Sequence, residues 1–137
     1  MITAVDTNVL VDVFRNDPVF CAASAEALRQ CLREGRLVCS DIVWAELAGL
    51  FESENALREA METLGVDYLP MNREAAILAG RMWRRYRQGG GTRQRVVADF
   101  LVAAHAKVQC DRLLTRDRGF YRACFTELTI LDPTPRG

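Results

Sequence analysis

Five short β-type runs, each separated from the next by segments of helical periodicity, constrain this chain more than any other feature. The runs are Ile2-Thr3-Ala4-Val5, Leu37-Val38-Cys39, and residues 66–70, 112–115 and 128–131. Between them Val9, Leu10, Val13 and Phe14 recur at helical spacing, and helical patterns cover 19–33, 41–51, 56–64, 73–87 and 96–108. Ser40 or Asp41 can cap the second of these, Gly35 and Gly65 stop two others, and the glycine run 89–91 breaks the chain before the last. Strands alternating with helices predict an α/β fold: a parallel sheet of about five strands flanked by helices on both faces. There is no internal repeat or linker, so residues 1–137 read as a single domain.

Several function classes are excluded at this level. The longest stretch free of charged residues, 18–25, is eight residues, whereas a membrane span needs about 18. The N-terminal residues carry no basic segment followed by an apolar one, so a cytoplasmic protein is expected. The five cysteines form no C-x-x-C pair and His105 is the single histidine, which argues against a zinc site or a disulfide framework. Net charge is zero but unevenly spread: residues 1–80 hold 13 acids and 6 arginines, a balance of −7, and residues 81–137 hold 5 acids, 11 arginines and Lys107, a balance of +7. Arginine accounts for 17 of the 18 basic residues, and its planar fork suits phosphate and base stacking. Arg81, Arg84, Arg85, Arg87, Arg93 and Arg95 fall in 15 residues without an acid. Either a polyanion partner or a solvated helix face accounts for that span.

In a parallel α/β sheet, ligands bind at the carboxyl ends of the strands. Asp6 directly follows the first strand, and Asp117 follows the fourth across Thr115-Arg116. Glu46 has Ile42, Val43, Gly49 and Leu50 three and four residues away, and Asp99 has Val96, Val102 and Ala103, so both are expected on faces turned to the core. Singly, each acid has a plain structural role open to it: Asp6 as a helix N-cap, Asp99 as a first-turn acid, Glu46 as a partner to an arginine, Asp117 as a turn residue before Gly119. Together they point to one chemistry. A buried carboxylate needs a compensating cation or strong donors, and several converging ones need a multivalent ion. Oxygen ligands without Cys or His select Mg2+ or Mn2+, the ions that support water attack on a phosphodiester. Thr7, Asn8 and Thr115 can hydrogen-bond such acids or serve as turn and cap residues. His105 lies two residues off the Asp99 register in an alanine-rich helix and is expected to pack rather than catalyse.

These residues resemble a known family. Asp6-Thr7-Asn8-Val9-Leu10 after an apolar strand, Val43-Trp44-Ala45-Glu46-Leu47, the stretch from Ala98-Asp99-Phe100 to His105-Ala106, and Asp111-Arg112-Leu113-Leu114-Thr115-Arg116-Asp117-Arg118-Gly119-Phe120 are similar to the four acidic motifs of PIN-domain ribonucleases. The pattern is most like the VapC toxins of type II toxin–antitoxin pairs, and it spans nearly the whole chain. The resemblance implies a Mg2+- or Mn2+-dependent endoribonuclease that cleaves cellular RNA and is neutralised by a VapB-like antitoxin. Position by position it makes Asp6 and Asp99 the principal metal ligands, with Asp117 completing the acidic pocket and Glu46 binding metal or orienting water. It also implies a homodimer and an antitoxin segment lying in a groove over the active site. An RNA-binding role for Arg84, Arg85, Arg93, Arg95 and Arg116 is inferred from charge alone.

Rival readings have specific requirements. A phosphoryl-accepting receiver module needs a lysine at the end of a late strand, but Lys107, the only lysine, falls in an expected helix. An aspartate-nucleophile phosphohydrolase needs a second acid where Asn8 stands. A PIN nuclease working outside a toxin–antitoxin pair, or a non-catalytic module of the same fold, remains open at this point.

Overall fold

The computed structural model describes residues 1–90 and 97–134. It opens with β1 (Ile2–Val5), whose end passes directly into α1 (Thr7–Phe14) and then α2 (Cys21–Glu34). There follow β2 (Arg36–Cys39), α3 (Asp41–Ala48), α4 (Glu54–Leu64), β3 (Val66–Tyr68), α5 (Arg73–Gln88), α6 (Val97–Gln109), β4 (Arg112–Leu114), α7 (Arg118–Cys124) and β5 (Ile130–Leu131). The expected helix start at Val96 lies outside the described residues.

All strand pairs are parallel, in the order β3-β2-β1-β4-β5. Thr3, Ala4 and Val5 are buried in succession, as are Leu37, Val38 and Cys39. Successive strand residues face opposite ways, so burial without alternation means that both faces of the central strands are covered. The core joins these strands to Val9 and Leu10 of α1, Val43 and Leu47 of α3, and Phe100, Ala103 and Ala104 of α6.

Local chemistry sets the element ends. Ser53 and Asn72 cap α4 and α5 by accepting from the Ala56 and Ala75 amides. Gly65 ends α4 at φ 73°, a left-handed conformation that glycine enters without steric cost. A Cβ on Gly35 would collide with the Met1 backbone, and the Arg36 amide donates to the Met1 carbonyl at 2.8 Å.

Two sequence expectations are corrected. α3 ends at Ala48 rather than near residue 51, with Gly49 already its C-cap. Residues 118–124, to which no element is assigned from sequence, form the two-turn helix α7. Its buried side chains, Phe120 and Tyr121, are adjacent, and so short a segment does not display a helical repeat.

The strand order places the site. From β1 the chain builds outward to β2 and β3 on one side, then crosses back through α5 and α6 to lay β4 and β5 on the other. The boundary between β1 and β4 is therefore the point where the winding reverses, and the crevice at the carboxyl ends of these strands is where such sheets bind ligands. Asp6 and the segment from Thr115 to Asp117 lie there.

Candidate active site

Asp6 ends β1 and caps α1, and only 8% of its surface is exposed. Its two oxygens are treated differently. Oδ1 accepts from the Thr7 amide at 2.8 Å. Oδ2 accepts from the Thr115 hydroxyl at 2.8 Å and the Tyr121 hydroxyl at 3.3 Å, with the Asn8 side-chain amide at 3.5 Å. Burial pushes the carboxyl up to about 6, with the neighbouring Glu46 charge acting in the same direction, while the Thr115, Thr7 and Tyr121 donors hold it down.

Glu46 is placed differently from its expected position. It is exposed, not turned to the core. At about 100° per residue it sits on the flank of the buried Val43–Leu47 line. Gly49 and Leu50, two of the apolar neighbours that suggested burial, lie beyond the helix end, and Leu50 is itself exposed. Glu46 still faces the site, because the Thr7 hydroxyl donates to its Oε1 at 2.7 Å and thereby ties α3 to the start of α1.

Asp99, in the first turn of α6, and Asp117, before α7, are both half-buried. The Asp117 amide donates to the Thr115 hydroxyl at 3.0 Å, so Thr115 bridges Asp117 to Asp6. The phenol of Tyr121 lies in the field of all three aspartates: burial raises its ionisation furthest, and Asp6, Asp99 and Asp117 add to the effect in that order. The structure thus sets the buried Tyr121 phenol on Asp6, within the electrostatic reach of Asp99 and Asp117, and sets Glu46 beside Asp6. Tyr121 has no counterpart among the residues singled out from sequence. The available signal was its place four residues after Asp117, one helical turn, in a helix too short to be recognised.

Among the described residues no three His, Cys, Asp or Glu side chains stand close enough together to form a ready metal cage. The donor set nonetheless fits a hard divalent ion. It is all oxygen, it includes a buried Asp6 whose negative charge is disfavoured by burial and by Glu46 and would be relieved by a cation, and Mg2+ ordinarily keeps several waters and takes only one or two carboxylates from the protein.

The cationic candidates separate. Arg116 turns inward: its Nε and Nη2 donate to the two oxygens of the 3%-exposed Asp12 at 2.7 and 3.0 Å, and its guanidinium lies 4.0 Å from the Phe20 ring centre. The Ser24 hydroxyl donates to the same Asp12, and the Arg116 amide donates to Asn8 Oδ1 at 3.2 Å. Its guanidinium is thus engaged in bracing β4 against α1 and α2. Arg84 and Arg85 are exposed near the end of α5. The next residue, Tyr86, packs on Phe100 and Phe120, and Phe120 packs on Tyr121, so this end of α5 rests on the aromatic cluster behind the acids. Arg93 and Arg95 lie outside the described residues. His105 is buried, with Nε2 2.8 Å from the Leu69 carbonyl.

A parallel sheet with carboxylates at its winding reversal defines an α/β domain with an acidic site at the carboxyl ends of its strands. A PIN-domain family profile matches residues 3–126; the chain belongs to the PIN-domain family, whose members are nucleases. It is similar along its length to a chain of VapBC-1 from nontypeable Haemophilus influenzae, at 30% identity, 98% coverage of this chain, 100% of that one and a TM-score of 0.74. It is also similar to a chain of FitAcB from Neisseria gonorrhoeae, at 25% identity, 97% and 98% coverage and a TM-score of 0.70. The chain of VapBC2 from Rickettsia felis, solved bound to a promoter DNA fragment, shares the fold at a TM-score of 0.76 and 18% identity, over 96% of this chain and 98% of that one. No curated protein matches. Within the family, the chain is a PIN domain of the VapC type.

Proposed function

We propose that this protein is the toxin of a type II toxin–antitoxin pair, a Mg2+- or Mn2+-dependent endoribonuclease neutralised by a VapB-like antitoxin. The observation that carries this reading is the placing of Asp6, Asp99 and Asp117 within electrostatic reach of Tyr121, with Glu46 beside Asp6, at the β1/β4 boundary. Asp6, Asp99, Asp117 and Glu46 would hold the cation, which supplies charge stabilisation for water attack on the phosphodiester. Thr7, Asn8 and Thr115 keep the acids in place: Thr7 links Glu46 to the α1 terminus, Thr115 links Asp117 to Asp6, and Asn8 joins Asp6 to the Arg116 loop. Arg84 and Arg85 would take backbone phosphates flanking the scissile one, as exposed arginines do. The ends of α1 and α3 and the residues after them leave a hollow of about 150 Å3 lined by Val11, Phe14, Arg15, Leu47, Leu50 and Phe51. An antitoxin segment seated there would meet both apolar side chains and the Arg15 cation.

The reading is supported by the family match and by the VapBC and FitAcB chains that share this fold over their length. Its test is cleavage of total cellular RNA by partner-free protein with Mg2+ or Mn2+, against EDTA, with Asp99→Asn alongside to expose contaminating nuclease. Discrete fragments that vanish with EDTA and with the variant are expected. Absence of cleavage by folded protein with either ion would overturn the nuclease reading.

A further inference from the structure

The acids are addressed by a side chain that belongs to none of the four acidic motifs. Tyr121 is 1% exposed, its ring packs at 5.1 Å on Phe120, and its hydroxyl donates to Asp6 Oδ2. It reaches Asp6 from α7, the helix that begins directly after Asp117. We propose that Tyr121 is a positioning residue of the acidic site, which together with Thr115 engages Asp6 Oδ2 and so leaves Oδ1 as the oxygen presented to the cation. The inference rests on the metal-dependent reading above.

The lone-pair count is its basis. A carboxylate oxygen accepts about two good hydrogen bonds. Oδ2 already has the Thr115 and Tyr121 hydroxyls, with the Asn8 amide beyond them, whereas among the described residues Oδ1 has the Thr7 amide alone. The protein therefore saturates one oxygen and leaves acceptor capacity on the other. A phenylalanine would fill the same core volume, so packing does not require the hydroxyl. The hydroxyl instead places a neutral donor on Asp6 Oδ2, where it can hold Asp6 in one rotamer without cancelling the charge that attracts the ion. Partners that orient metal ligands in this way commonly matter roughly 10–100-fold to affinity or activity.

The test compares wild type, Tyr121→Phe and the packing control Phe125→Leu, which disturbs the same aromatic cluster without touching Asp6. Mn2+ binding is measured by calorimetry on RNA-free protein, cleavage rates are measured against Mn2+ concentration, and thermal midpoints are recorded without metal. Tyr121→Phe is expected to keep the wild-type midpoint while its Mn2+ affinity falls roughly tenfold, with part of the cleavage rate recovered at high Mn2+. Phe125→Leu is expected to melt earlier with unchanged Mn2+ affinity. Wild type also offers a readout without substitution: Mn2+ drawing on Asp6 should perturb the tyrosine ultraviolet band. Equal Mn2+ affinity in wild type and Tyr121→Phe, or no band change at saturating Mn2+, overturns the positioning role while the nuclease reading stands. Failure of wild type to bind Mn2+ overturns both.

Discussion

Asp6 shows at the scale of one residue how burial and function oppose each other. Its carboxyl titrates near 6 in the fold against 3.8 for an unperturbed aspartate, because burial disfavours the charge. The folded protein therefore holds this proton more tightly than the unfolded chain. The contribution of Asp6 to stability falls as pH rises from about 4 to about 6, at up to roughly 1.4 kcal/mol per unit, and is level above that. Urea unfolding of the metal-free protein across this window should show that decline relative to Asp6→Asn, and saturating Mg2+ or Mn2+ should abolish the difference. At pH 7 the Asn variant is expected to be as stable as wild type or more so, while losing cleavage by at least roughly a hundredfold; wild-type cleavage by this variant after repurification would remove Asp6 from the site. Of the four acids, Asp6 and Asp117 are legible in sequence because strand ends announce themselves. Glu46 is legible for a partly mistaken reason: its apolar neighbours in sequence are not its neighbours in space, since α3 ends before two of them.

The connections between elements decide whether those residues meet. Charge alone groups Arg116 with the arginines proposed to bind RNA, yet it closes an ion pair with the buried Asp12 that joins the end of β4 to α1 and α2. A charge count along the chain does not reveal whether an arginine has a buried acid a hundred residues away. Removing one partner leaves the other charge buried, so Arg116→Ala should cost about 3–5 kcal/mol in denaturant unfolding; a loss below about 1 kcal/mol would show that Asp12 finds water or another donor. The strands and long helices are readable because each shows its period over enough residues. α7 is not, and it is the element that carries Tyr121.

Across the whole molecule, the −7 and +7 halves of the sequence do not become two domains, because β1 from the acidic half pairs directly with β4 from the basic half. Acids from both halves share the site, and the exposed arginines of α5 stand on the helix packed behind it. Reversing Arg84 and Arg85 to Glu should weaken RNA binding and lower the slope of log affinity against log salt by about 1 for each phosphate no longer neutralised; an unchanged slope would make that helix end an ordinary solvated face. Among the described residues no helix is long and apolar enough to cross a membrane.

The central place of β1 also orders events in time. It is made first, but its β4 neighbour and the Thr115 and Asp117 side chains that complete its acidic end come more than a hundred residues later. During synthesis Asp6 therefore precedes these partners by more than a hundred residues. A growing chain, or one truncated before β4, cannot assemble this centre, so the capacity to cut nucleic acid arrives late in translation, when the ribosome has nearly finished the domain.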